Sequence, residues 1–145
     1  ILDHDVTVNA VGQIRRQGRA HCTGTLITSR HIITAGHCVY YDGVWENVAD
    51  LTFVPGVDDI RGTFNSYQVE AAETFNVWVD NKNWAYDMAL MRLNTDVASS
   101  YAIPWEFAAR NIGFGESLHH IGYPGDKADF SRWYEYCPFD NEVNT

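Results

Sequence analysis

The sequence predicts an all-β fold, an antiparallel barrel or sandwich, and three observations carry that prediction. Seven short runs combine β-branched or aromatic residues with turn residues at their ends. Strong turn signals stand at Asp42-Gly43, Pro55-Gly56, Asn81–Asn83 and Pro124-Gly125. No segment sustains a helical period with caps at both ends.

In chain order, Val6–Ile14 is the first expected strand. Ala20–Thr28 and His31–Ala35 follow as a strand, a turn and a second strand that runs into a tight turn. Asp50–Val54 ends at Pro55-Gly56, and Tyr67–Val79 ends just before Asn81–Asn83. Met88–Leu93 is an apolar strand opened by an aspartate, and Ser117–Tyr123 ends at Pro124-Gly125. Short helical turns are expected at Ala35–Val39 and near Ile103–Ala109. A soft boundary at Ser99–Asn111 divides the chain into units 1–110 and 111–145.

With 145 residues, 46% of them hydrophobic, the chain is long enough to bury a core of one average domain. No run approaches the roughly 18 apolar residues of a membrane span, so no membrane partner is expected. No basic segment followed by an apolar one opens the chain, so a secretory leader is absent or removed. The formal net charge is −9. It is uneven: residues 1–40 hold four Arg against two Asp, and residues 41–145 hold six basic against seventeen acidic groups. Such a surface disfavours nucleic acid, which needs clustered Lys and Arg. Arg15, Arg16 and Arg19 form the only basic cluster and read as a solvated strand end.

Chemistry concentrates in two stretches. In the segment from His21 to Cys38, the small pair Ala35-Gly36 precedes His37, letting the backbone turn and leaving room around the imidazole. Cys22 and Cys38 bracket this hairpin, sixteen positions apart. A bridge between them would fasten the turn that presents His37 and contribute roughly 3 kcal/mol. Two buried thiols, or a zinc site of Cys22, Cys38 and His37, are the alternatives, the second lacking any short Cys-x-x-Cys spacing. In the second stretch, Asp87 opens the strand Met88–Leu93. Its charge is costly inside unless something pairs with it. An imidazole would satisfy it and be oriented by it, an arrangement that acyl transfer uses. An aspartate before a strand is by itself a common turn or cap residue. Joined to the cysteine-bracketed histidine fifty residues upstream, it reads as the partner of His37 across the interior of a closed sheet.

Through Thr34-Ala35-Gly36-His37-Cys38 and Asp87-Met88-Ala89-Leu90 the sequence resembles trypsin-like serine proteases. Through Cys22–Ile27, Val54-Pro-Gly56, Tyr86-Asp87 and Gly122-Tyr-Pro-Gly-Asp-Lys127 it looks most like the bacterial glutamyl-endopeptidase (V8-like) branch. The resemblance covers roughly residues 8–127. It implies a double antiparallel β-barrel, here the first barrel plus the opening strands of the second, with His37 as general base and Asp87 as its orienting partner. It also implies a Cys22–Cys38 disulfide, a polypeptide substrate, acidic P1 preference, no metal or other cofactor, and secretion to an extracellular or periplasmic space, where disulfides persist.

The departures from the family are informative. No serine here is flanked by glycine on both sides, so the family's nucleophile motif is missing. A two-barrel protease needs on the order of 200–250 residues. The serine, the oxyanion hole and most of the S1 pocket are therefore expected on polypeptide beyond residue 145, as a second chain or a further part of the same one. Cys137, the odd cysteine, would pair there. A non-catalytic homologue serving as a binding module is the alternative. A cysteine-nucleophile reading of Cys137 finds no glycines around Tyr136-Cys137-Pro138. His4, His21, His31, His119 and His120 match no motif. The five tryptophans read as core or rim, and Asp58-Asp59 is weak evidence for calcium. Ile1-Leu2-Asp3-His4 lacks the Ile-Val-Gly-Gly form that an inserting N-terminus takes in the animal enzymes.

Overall fold

A computed structural model describes residues 6–58 and 64–138. Ile1, His4 and Asp59, considered above, lie outside the described residues. Six strands close into an antiparallel barrel: β1 (Val11–Arg16), β2 (Arg19–Leu26), β3 (His31–Thr34), β6 (Leu51–Pro55), β7 (Tyr67–Thr74) and β8 (Ala89–Leu93). The order around the barrel is β1-β2-β3-β8-β7-β6, and β6 returns to β1. Closure leaves no free edge, which is how a small antiparallel sheet avoids pairing with other chains. Inward side chains of alternate positions fill it: Ile14, Leu26, Ile32, Leu51, Phe53, Met91 and Leu93 are fully buried. Gly24 is required there, since a Cβ would lie 2.5 Å from Ile32 Cγ2.

The expected strands are found, with four differences. The run Val6–Ile14 starts late, because Val8–Ala10 forms a 3-10 turn and Val11 N–H donates to Val8 C=O. It also runs on to Arg16, since Arg15 is not a solvated strand end but a buried side chain. Tyr67–Val79 is not one strand. It stops at Thr74, and α1 (Asn76–Asn81) follows, driven by Trp78, which is buried and donates its indole N–H to Tyr40 C=O at 2.9 Å. Lys82, in the left-handed region at φ 50°, ends that helix. No helical turn forms at Ile103–Ala109. The amides of Ile103 and Trp105 donate instead to Val6 C=O (2.8 Å) and Leu26 C=O (2.9 Å), strapping this stretch along the barrel.

Two short elements were not anticipated. Tyr40–Tyr41 (β4) and Val44–Trp45 (β5) make a hairpin around Asp42-Gly43, whose φ angles of 51° and 82° suit a mirror-image turn. Trp133–Pro138 (β10) pairs antiparallel with β9 (Ser117–Gly122) in a separate two-stranded sheet. Most of that sheet's side chains are exposed on both faces. Its turn is tied to the barrel by a second apolar cluster of Val11, Val54, Val57, Tyr123 and Phe130. Arg15 reinforces the tie: it donates to Asp129 at 2.8 Å and to Gln13 at 2.6 Å, with its guanidinium 3.9 Å above the Phe130 ring. The Arg15 guanidinium holds the Asp129 carboxyl below its ordinary value.

Candidate active site

β3 and β8 are neighbours in register, with Thr34 opposite Ala89. His37 lies three residues past the end of β3, and Asp87 two residues before the start of β8. Antiparallel pairing therefore delivers both to one rim of the barrel. The contact forms at that rim rather than across the barrel interior.

His37 sits in the 3-10 turn Gly36–Cys38, closed by Cys38 N–H to Ala35 C=O and Val39 N–H to Gly36 C=O. Cys38 is disulfide-bonded to Cys22 of β2, with Cα atoms 6.3 Å apart. This disposes of the free-thiol alternative and of a thiolate zinc site in the oxidised chain. His21 adds a tie from the same strand, its Nε2 bonding Cys38 C=O at 2.9 Å. Asp87 leaves the 3-10 turn Trp84–Tyr86, which is capped by the Asn83 side chain accepting from Ala85 N–H.

Both carboxylate oxygens of Asp87 are used on His37. Oδ1 accepts from the His37 backbone N–H at 2.7 Å, and Oδ2 pairs with ring Nδ1 at 2.8 Å. An ionised carboxylate only accepts, so Nδ1 carries the hydrogen and Nε2 keeps its lone pair. Asp87 is largely covered, its side chain 15% exposed, while that of His37 is 48% exposed. A sheltered acceptor behind an accessible imidazole can take a proton from a nucleophile on the outer side and stabilise the cation that results.

Three supporting residues escaped the sequence reading. A Cβ on Gly36 would lie 3.0 Å from Thr74 Oγ1, 3.0 Å from Trp78 Cδ1 and 3.1 Å from Asp87 Oδ1. Gly36 thus admits the carboxylate as well as making the turn. Thr74 donates to Met88 C=O at 2.7 Å and fixes the backbone next to Asp87. Trp78 packs beneath, with Trp84 edge-on at 5.0 Å between centroids. A Thr–Trp pair four residues apart carries no motif of its own, and only the proximity to Gly36 reveals it. The remaining histidines lie apart from the pair. His31 bonds Thr28 Oγ1, His119 bonds Tyr134, and His120 faces Glu135 on the exposed sheet.

The family described as Trypsin matches residues 3–130, nearly the whole chain. The chain belongs to the trypsin family. Curated relatives agree with this. An extracellular metalloprotease of Bacillus subtilis is 26% identical over 121 residues, covering 81% of this chain and 37% of its own length. A glutamyl endopeptidase of Bacillus licheniformis is 24% identical over 118 residues, with the same coverage of 81% and 37%. A snake venom serine protease of Naja atra is 26% identical over 106 residues, 70% of this chain and 35% of its own length. This trypsin-family chain spans little more than a third of the length of the relatives it matches. Its closed antiparallel barrel is the fold expected of a trypsin-like domain, and the family is one of serine protease hydrolases. Among the described residues no helix is long and apolar enough to cross a membrane.

Proposed function

We propose that this chain supplies the histidine and aspartate of a secreted serine endopeptidase, which cleaves peptide bonds through an acyl-enzyme. The observation that carries the reading is the double hydrogen bond from His37 to Asp87, one from the ring and one from the backbone. In this reading Asp87 holds the ring in the Nδ1–H form. Nε2 takes the proton of a serine hydroxyl as it attacks the scissile carbonyl. Asp87 then stabilises the imidazolium, which returns its proton to the departing amine.

The nucleophile lies on polypeptide outside these 145 residues, a second chain or a further part of the same one. The absence of any glycine-flanked serine supports this, as does the limited span of the relatives that the chain covers. Residues 1–110 form the first barrel in this reading, and the β9–β10 sheet of 111–145 opens a second one. Cys137, exposed and free, is then available to a cysteine of the missing part. Acidic P1 preference is supported by Gly122-Tyr-Pro-Gly-Asp-Lys127 and by the B. licheniformis relative. The Cys22–Cys38 bridge and the word extracellular in the B. subtilis relative's name support secretion.

The test is labelling of the intact protein by a serine-directed phosphonate. His37→Ala is expected to slow labelling and lower kcat/KM by at least about 10⁴-fold. Labelling undiminished by that substitution overturns the assignment. Cleavage of matched peptides differing only at P1 tests the preference for glutamate.

A further inference from the structure

The turn that presents His37 also brings two sulfurs against it. Cys22 Sγ, Cys38 Sγ and a His37 ring nitrogen all lie within 4.8 Å of one another. Donors on one tetrahedral zinc ion, with its usual bond lengths, stand about 3.5–3.8 Å apart. Only a short closing movement of the imidazole, and a parting of the bonded sulfurs, separates the present arrangement from a chelating one.

The scaffold around these atoms does not depend on the sulfur–sulfur bond alone. Cys22 is held in β2 opposite Ile14 of β1. Cys38 is held by its amide to Ala35 C=O and by its carbonyl to His21. Asp87 occupies Nδ1 of His37 and leaves Nε2 as the coordinating nitrogen, and a carboxylate behind a metal-bound imidazole strengthens such a ligand. Cys22 is half-buried and His37 half-exposed, so an ion can reach the corner from solvent.

We propose that reduction of the Cys22–Cys38 disulfide turns this corner of the barrel into a two-cysteine, one-histidine site for a thiophilic divalent cation such as zinc. The reductant is a phosphine or a dithiol. With a phosphine, the disulfide and one water yield two thiols and the phosphine oxide. The cation then forms two metal–sulfur bonds and one metal–nitrogen bond and releases the two thiol protons to solvent, its own oxidation state unchanged. While the cation is held, the Nε2 lone pair is committed to it and cannot accept another proton. The ion-binding step stands whether or not the protease reading does, because it is read optically and needs no turnover.

The experiment uses the chain carrying Cys137→Ser, so that the exposed thiol contributes nothing. It is reduced with a phosphine under inert gas and titrated with cobalt(II), while near-ultraviolet circular dichroism follows the barrel. The expected result is a sulfur-to-cobalt charge-transfer band together with the visible bands of a tetrahedral ion. Both saturate at a single equivalent, are displaced by zinc, and are absent from the oxidised chain. His37→Ala in the same background is expected to change the visible bands and weaken cobalt binding at least roughly tenfold. Replacing both cysteines by alanine removes the charge-transfer band. A reduced chain that gives no such bands, whether its barrel persists or melts, overturns the proposal. So do bands that His37→Ala leaves unchanged.

Discussion

Asp87 accepts twice from a single histidine, and the two bonds have separate duties. The bond from the backbone N–H shapes the turn, and the one from Nδ1 sets the ring. An amide at position 87 can still accept one of them but cannot stabilise an imidazolium. In the intact enzyme Asp87→Asn is therefore expected to lower kcat by about 10⁴-fold, with KM and thermal midpoint little altered. Steady-state kinetics beside a melting curve check this. Gly36→Ala acts by crowding. Its methyl must displace Thr74, Trp78 or the Asp87 carboxylate, and a misplacement of about 1 Å costs on the order of 10²-fold in rate. Activity should fall further than stability, and a normal rate would show that the neighbours yield instead. Trp78→Ala removes a fully buried indole, so urea denaturation should show a loss of about 3–5 kcal/mol.

At the scale of elements, the turn between β9 and β10 is fastened to β1 by a charged contact and an apolar one. Arg15 is nearly covered, whereas Asp129 remains close to half exposed, so water screens the pair. The folded-state pKa of Asp129 is lowered, chiefly by its hydrogen bond from Arg15. Its contribution is therefore complete above the ordinary carboxylate value near 4 and is lost as pH falls from there through the folded value. Glu116, paired with Arg110 and pushed down to about 2, follows the same sign at lower pH. Asp129→Asn should flatten the fall in stability between neutral and acid pH, measured as urea midpoints across that range. A pH slope identical in the two proteins would show that the fastening does not depend on this charge.

For the molecule as a whole, a closed barrel and an open two-stranded sheet should behave differently. Amides of β1, β3 and β8 exchange with solvent only when the barrel opens, whereas those of β9 and β10 have one neighbour each and little cover. Hydrogen exchange on this chain is expected to protect the first group by orders of magnitude over the second. The same contrast explains what the sequence could reveal. Barrel strands were legible because half of each is buried, which imprints alternation, and because strong turn residues punctuate them. β10 left no such imprint, since all of its residues are exposed. Val77, Trp78 and Val79 look like strand to a propensity argument, yet the indole's contact with Tyr40 bends them into α1. The histidine and aspartate were legible from their neighbours in sequence. Thr74 and Trp78 were not, because they reach the site through packing alone.

The pairing of Thr34 with Ala89 bears on how this family can vary. The two reacting side chains are spaced by one rung of a ladder and not by the fifty residues that separate them along the chain. Insertions in the intervening loops need not disturb the pair. Sliding β3 past β8 by a single residue would carry imidazole and carboxylate about 3.3 Å apart and reverse the faces they point from. Tolerance to rebuilding should thus be high in the connections and nearly nil in that one strand register.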